Sequence, residues 1–302
     1  METCITVWHW PNHDRWYDEG LKETLRLIKK AGFTHINWNP DSGSSYWYAA
    51  SEIGFIRDTI NSFDLKVKTI HASNGLNPVT EKTFLARETR KDIHSPNAWQ
   101  REAGAELLRN RVDLAAALGS PDMVLHIEVR DEYHESAAAA EAFYTPLFQT
   151  LDSVRPYCLE HGIKIAVENL FSASAKTYLQ MFDRVFSRYD ADFIGLCYDT
   201  GHWEITQPGG ISVLDQFGDR LICTHIHDNF SACDDHLLPF DGRINWDLVT
   251  KGIAATAYET PVNFETEYDR YGLRPSSFYE RAHATAVRIE TMIQAARSGN
   301  AL

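Results

Sequence analysis

The sequence predicts an α/β fold: a closed (β/α)8 TIM barrel in which residues 1–302 form one domain. Three observations carry this. Short, β-prone apolar runs alternate with helical stretches eight times. Such alternation implies parallel pairing through right-handed crossovers, and eight units imply closure. The later runs end in acids or imidazoles, as a barrel's functional rim would. The length suits one barrel with extended loops, and no Pro-, Gly- or Ser-rich linker divides the chain.

Residues 5–10 form the first run and end in His9 and Trp10. Residues 16–30 have helical spacing, with Leu21, Leu25 and Ile28 on one face and Gly32 as a stop. Residues 33–38 are the second strand, and 46–63 a helix with Ile53, Ile56 and Ile60 inward. The third strand, 65–70, delivers His71. The irregular stretch 72–95, with turn signals at Asn74-Gly75 and Asn77-Pro78, has the length of a lid or binding loop. Residues 96–118 are helical up to Gly119. Residues 123–127 are the fourth strand and contain His126.

Residues 136–160 make a long helix whose buried face is Phe143, Leu147, Leu151 and Val154, kinked or interrupted at Pro146 and Pro156. The fifth strand, 163–167, ends at Glu168, and a helix capped by Ser172 or Ser174 follows. The sixth, 193–198, ends at Asp199, with a short helix at 211–217. The seventh, 221–226, carries His225, with His227 beyond, and its exit loop holds Asp234 and His236. Residues 246–255 are helical, the eighth strand, 261–264, ends at Glu265, and a helix over 276–296 closes the chain.

Composition excludes several classes. Hydrophobic residues make up 44%, enough for a sizeable core. The formal net charge of -13, with no dense Lys/Arg run, opposes nucleic-acid binding. No segment has the length of apolar residues that a spanning helix needs. The start, Met1-Glu2-Thr3-Cys4, does not read as a signal peptide. Five scattered cysteines without CxxC spacing fit a reducing, cytoplasmic setting.

His71, His126, Glu168, Asp199, His225 and Glu265 stand at the exits of the third to eighth strands. A lone histidine in a strand is more often a core residue, and a lone glutamate at a strand end a solvated one. Six such groups around one mouth are different. Carboxylates gathered there repel and raise one another's pKa, and a divalent cation with a preference for N and O donors resolves this. His202 follows Asp199 by three residues and faces the same mouth if Gly201 allows a turn. His227 shares strand parity with His225, so either can be the seventh-strand ligand. Asp234 and His236 extend the set.

At these residues the chain resembles the xylose isomerase-like barrel superfamily, which holds sugar isomerases and epimerases, inosose dehydratases and endonuclease IV. The resemblance rests on Val167-Glu168-Asn169, Tyr198-Asp199-Thr200-Gly201-His202, Thr224-His225-Ile226-His227-Asp228-Asn229, Asp235-His236-Leu237-Leu238-Pro239 and Phe264-Glu265-Thr266. It implies that Glu168, Asp199, His225 and Glu265 hold a divalent metal (Mn, Zn, Co or Mg), with no organic cofactor. Alignment on the epimerases favours His227 in place of His225. His71, His126, His202, His227, Asp234 and His236 then bind substrate or a second metal, as the additional ligands of endonuclease IV do. Pro239-Phe240-Asp241-Gly242 departs from the Pro-Gly-Glu-Gly that relatives often show.

The implied activity is isomerisation or epimerisation of a ketose or polyol through an enediolate, with Glu168 and Glu265 as acid and base. The alternatives are a multinuclear-zinc phosphodiesterase and a keto-sugar dehydratase. Trp8, Trp10, Trp38 and Trp47 are candidates to face a sugar ring. The expected partner is a small sugar or polyol, with no nucleic acid and no membrane, in a chain that can form a homo-oligomer.

Overall fold

In the computed structural model the described residues are 1–8, 19–40, 44–75, 90–259 and 261–299. His9, Trp10, Trp16 and Asn77-Pro78 lie outside them. The strands are β1 (Cys4–Val7), β2 (His35–Trp38), β3 (Lys66–His71), β4 (Asp122–Leu125), β5 (Lys164–Glu168), β6 (Ile194–Asp199), β7 (Leu221–Ile226) and β8 (Asn263–Phe264). Each pairs in parallel with the next, and β8 pairs with β1, so the sheet closes in chain order. This is the expected (β/α)8 barrel, with helices around it.

The helices are α1 (Leu21–Ala31), α2 (Ala50–Ser62), α3 (Ala98–Leu118), α4 (Ala137–His161), α5 (Ala175–Arg188), α6 (Thr200–Thr206), α7 (Ser212–Phe217), α8 (Trp246–Ala254) and α9 (Pro275–Ser298). Their predicted stripes are buried: Leu21, Leu25 and Ile28 on α1, Ile53, Ile56 and Ile60 on α2, and Leu147, Leu151 and Val154 on α4. Each such side chain contributes about 1.5–3 kcal/mol when fully buried. Glycines at positive φ close α1, α3 and α4 as the sequence predicts.

Four expectations need correction. Helix α2 begins at Ala50, because Asn110 bonds both backbone groups of Tyr48 (2.9 Å each) and keeps 46–49 extended. His126 lies one residue past the end of β4. Helix α4 passes both prolines without interruption. The carbonyls left without an N–H partner belong to Ala142 and Asp152, both exposed, where water can bond them. Helix α6 was not foreseen: it starts directly after β6, with Asp199 as its N-cap.

Inside the barrel, alternation divides each strand. On β4 to β7 a small inner layer of Val124, Ala166, Cys197 and Cys223 packs together. Two residues further along their strands stand His126, Glu168, Asp199 and His225. Across from them Thr6, Asn37 and Asn263 form a buried hydrogen-bonded set. The layer of small side chains leaves the acids and imidazoles stacked on a packed floor.

Candidate metal centre

His71 ends β3, Glu168 ends β5 and Asp199 ends β6, while His225 lies in β7. Glu265 follows β8 directly. The four residues that the resemblance names as ligands converge on one imidazole nitrogen. His225 Nδ1 lies 3.0 Å from Glu168 Oε1, 3.1 Å from Glu265 Oε2 and 3.7 Å from Asp199 Oδ2. All four are at most 3% exposed.

Two further groups flank this centre. On one side His126 Nε2 is 2.8 Å from Glu168 Oε2, and His71 Nε2 is 3.6 Å from Glu265 Oε1. The His71 ring stacks on His225 at 4.9 Å. On the other side Asp234 Oδ2 lies 3.0 Å from His236 Nε2 and 3.3 Å from His202 Nε2. His227 Nε2 meets both oxygens of Asp199 at 3.0 and 3.1 Å, and its ring stacks on His236 at 4.3 Å. The two seventh-strand histidines are thus distinguished: His225 meets both glutamates, and His227 meets Asp199. All ten sequence-predicted site residues meet in this one cluster.

The local chain explains the placement. Asn169 bridges two strand exits, donating from Nδ2 to Asp199 O (2.8 Å) and accepting from Asp199 N (2.9 Å). Asp199 Oδ1 accepts from His202 N (2.7 Å), which turns the chain into α6 and brings His202 Nδ1 within 3.2 Å of Glu168. Thr200 Oγ1 donates to His227 O (2.7 Å) and accepts from His227 N (3.0 Å). Asp228 anchors the loop after β7: its carboxylate accepts from Asn229 N, Phe240 N, Ile244 N and Trp246 Nε1 at 2.9 to 3.1 Å. An antiparallel bridge from Asp228 to Leu237 closes that loop and presents Asp234 and His236. His236 itself has φ +48, a strained value for a side chain of its size.

The donor set fits a cation by geometry. Bonds of about 2.0–2.2 Å from one ion put neighbouring donors roughly 3.0–3.5 Å apart, which brackets the short contacts of His225. Glu168 Oε2 and Asp234 Oδ1 are buried without a hydrogen bond. So is His126 Nε2, whose approach to Glu168 is not aligned for one. Buried lone pairs left unpaired are costly, and coordination satisfies them.

Electrostatics inside the cluster run both ways. Burial pulls His71 down to about 3. It acts likewise on His225, but Glu265 and Glu168 outweigh it and hold the pKa well above the ordinary value. His236 is burdened by burial yet pushed up to about 9 by Asp234. Glu265, despite burial, is held down at about 2 by His225. Protons on these imidazoles and a divalent ion compensate the same carboxylates, and so compete for the same lone pairs.

Of the tryptophans, Trp8 stands at the rim, edge-on to His236 (5.5 Å), with Nε1 donating to Thr266 O. Trp38 is a core residue, 1% exposed and bonded to Tyr48, so it does not face the mouth. Trp47 is half exposed. Phe171, which sequence reasoning missed, stands 4.9 Å from the His202 ring and is 46% exposed. Its signal was its position three residues after Glu168 in an exit loop.

Among known proteins, y4fM of Sinorhizobium fredii, itself uncharacterised, is 56% identical over 302 residues, covering 98% of this chain and 97% of its own. A D-tagatose 3-epimerase-like protein is similar in structure, with TM-score 0.69, 18% identity and coverage of 96% and 98%. An L-ribulose 3-epimerase is similar with TM-score 0.68, 16% identity and coverage of 99% and 97%. At these identities the two structural likenesses concern fold. A family model described as the xylose isomerase-like TIM barrel matches residues 3–292, and with a closed barrel and this rim the chain belongs to that family.

Proposed function

We propose that this protein is a divalent-metal-dependent sugar isomerase or epimerase that moves a proton on the carbon beside a ketose carbonyl. The observation that carries the reading is the meeting of two buried glutamates, Glu168 and Glu265, on the single nitrogen of His225. The likeness in fold to an L-ribulose 3-epimerase and to a D-tagatose 3-epimerase-like protein supports it by analogy. A divalent ion held by Glu168, Asp199, His225 and Glu265 supplies Lewis acidity toward adjacent carbonyl and hydroxyl oxygens.

The chain's own residues do the rest. Glu168 and Glu265 take and return the proton. Glu265 is held at both oxygens, Oε2 by His225 and Oε1 by Asn39 Nδ2, which donates to it at 3.2 Å, whereas Glu168 is held at Oε1, by His225 and His202. These contacts orient the two carboxylates, which proton transfer requires. His202, fixed by its backbone on Asp199, orients a substrate hydroxyl. Trp8 and Phe171 suit the C–H face of a sugar. Among the described residues, every ion pair of Glu168, Asp199, Asp234 and Glu265 is to histidine.

The test is proton exchange. Protein loaded with Mn, Co, Mg or Zn is incubated in D2O with a panel of ketoses, and the C–H signal beside the carbonyl is followed by NMR. Exchange is expected for at least one ketose, and Glu168→Gln should lower its rate by about 10²-fold or more. Full turnover by Glu168→Gln would remove the acid–base role.

The flanking groups favour a second reading, a multinuclear hydrolase acting on a phosphodiester. His71 and His126 with Glu168, and His202 and His236 with Asp234, could each hold an ion beside the central one. Metal content decides: about one ion per chain supports the isomerase, and two or three the hydrolase. The charge of -13 argues against a DNA substrate.

A further inference from the structure

A cavity of about 500 Å³ lies on the strand-exit face, between the segments that follow β3 and β4 and the first turns of α4. Its wall contains a three-ring stack. Phe143 is sandwiched between His94 (centroids 5.1 Å, 18°) and Tyr133 (4.7 Å, 20°). Asp92, Glu128 and Arg130 supply the polar groups. Asp92 Oδ1 accepts from His94 N at 2.8 Å, and Glu128 Oε1 accepts from Asn74 Nδ2 at 3.3 Å. The sequence placed Phe143 on the buried face of its helix. The structure leaves it half-buried, in this stack and packed against the edge of the core.

We propose that this cavity is the subsite for a second sugar ring, so that the substrate is a glycosylated ketose. The inference rests on the isomerase or epimerase reading of the metal centre. Three arguments carry it.

The first is placement. Of the clustered side chains His126 is the most open, with 30% of its side chain exposed, followed by Asp234 on the opposite flank with 24%. The β4 side is therefore one of two open edges of the centre. Glu128, on the cavity wall, is two residues further along the same exit, within about 7 Å for an extended chain. A sugar seated at the centre reaches this wall through one substituent.

The second argument is chemistry. Aromatic rings meet the C–H face of a pyranose, and carboxylates with a guanidinium bond its hydroxyls. Two carboxylates against one guanidinium oppose a phosphate or another anion and leave a neutral, hydroxyl-rich ligand as the fit. The third is size: the cavity falls within the roughly 300–1,000 Å³ typical of small-molecule sites.

The experiment compares D-fructose with two of its glucosylated forms, maltulose and isomaltulose, on metal-loaded protein. Proton exchange gives kcat/KM, and saturation-transfer NMR reports which ring touches the protein. We expect at least one glucosylated ketose to exceed D-fructose by about tenfold in kcat/KM, the return from one or two good contacts. Saturation should reach its glucosyl protons. Ala142→Trp, which fills the cavity from an exposed helix position, and Tyr133→Ala should each reduce that ratio toward one and remove the glucosyl saturation. Equal kcat/KM for free and glucosylated ketoses, or a ratio untouched by both variants, overturns the inference and leaves the isomerase reading standing. Glucosyl saturation lost in Ala142→Trp, without proton exchange in any sugar, keeps the subsite and overturns the isomerase reading. No exchange and no saturation overturns both.

Discussion

A methyl group on Gly201 would lie 1.9 Å from the ring of His227, so this position is glycine for space. The sequence suggested another reason, a turn toward His202, but Gly201 sits inside the first turn of α6, and the N-cap Asp199 does the turning. Two effects oppose each other in Gly201→Ala. Alanine gains about 1 kcal/mol in helix propensity. Overpacking costs about 1–3 kcal/mol, and His227, buried and stacked on His236, has nowhere to retreat. We expect the clash to win. Gly201→Ala should keep its circular dichroism spectrum but lose at least about tenfold in metal affinity, since the ring must leave Asp199. Unchanged affinity would show that the ring can shift freely. The residue types at the rim were legible because strand exits repeat at a fixed place in each unit. Contacts such as this one were not, since they join residues from different units. The contact of Phe240 was equally illegible: the residue adopts φ +76, with its ring under the Arg288 guanidinium at 3.6 Å.

At the scale of the element, the loop between β7 and α8 shows how one buried side chain holds a functional segment. Asp228 is 0% exposed, and its carboxylate accepts four donors from a stretch of 18 residues. Asp228→Ala strands those donors, each worth about 1–3 kcal/mol when left unsatisfied. Asp228→Asn keeps the shape but turns one acceptor into a donor. We expect both variants to melt at lower temperature, alanine more, by circular dichroism. We also expect both to lose the contribution of Asp234 and His236, seen as weaker binding of Mn or Zn by calorimetry. Equal metal binding in the alanine variant would show that the loop is held by its other contacts. The sequence placed β2 to β8 to within one or two residues, because apolar runs and their stops are local, but carried the first strand to residue 10, past its end at Val7. It missed α6, seven residues long and fused to the end of a strand, where no helical period has room to develop.

For the whole molecule, closure is what gives distant residues one address. His71 and Glu265 are nearly two hundred positions apart and their side chains approach to 3.6 Å because eight parallel strands return to the first. That much was legible from the count of units. The clustering of side chains into a centre with two flanks was not, since it depends on barrel diameter and side-chain reach. The architecture also gathers carboxylates in a chain that already carries a net charge of -13. In the unfolded chain these groups are scattered and bind an ion weakly, so an ion that binds the folded centre stabilises the fold by RT ln(1 + [L]/Kd). At a hundred times Kd this is about 2.7 kcal/mol. For a chain of this size that corresponds to roughly 4 °C in Tm. Chelation with EDTA should lower Tm by that amount, and added Mn, Co or Zn should restore it. Glu168→Gln and His225→Ala should melt at the same temperature with and without the ion, because the central donor set is broken in each. A melting temperature of the parent protein that ignores both chelator and metal would mean that the rim holds no ion, and that its imidazoles alone balance the acids.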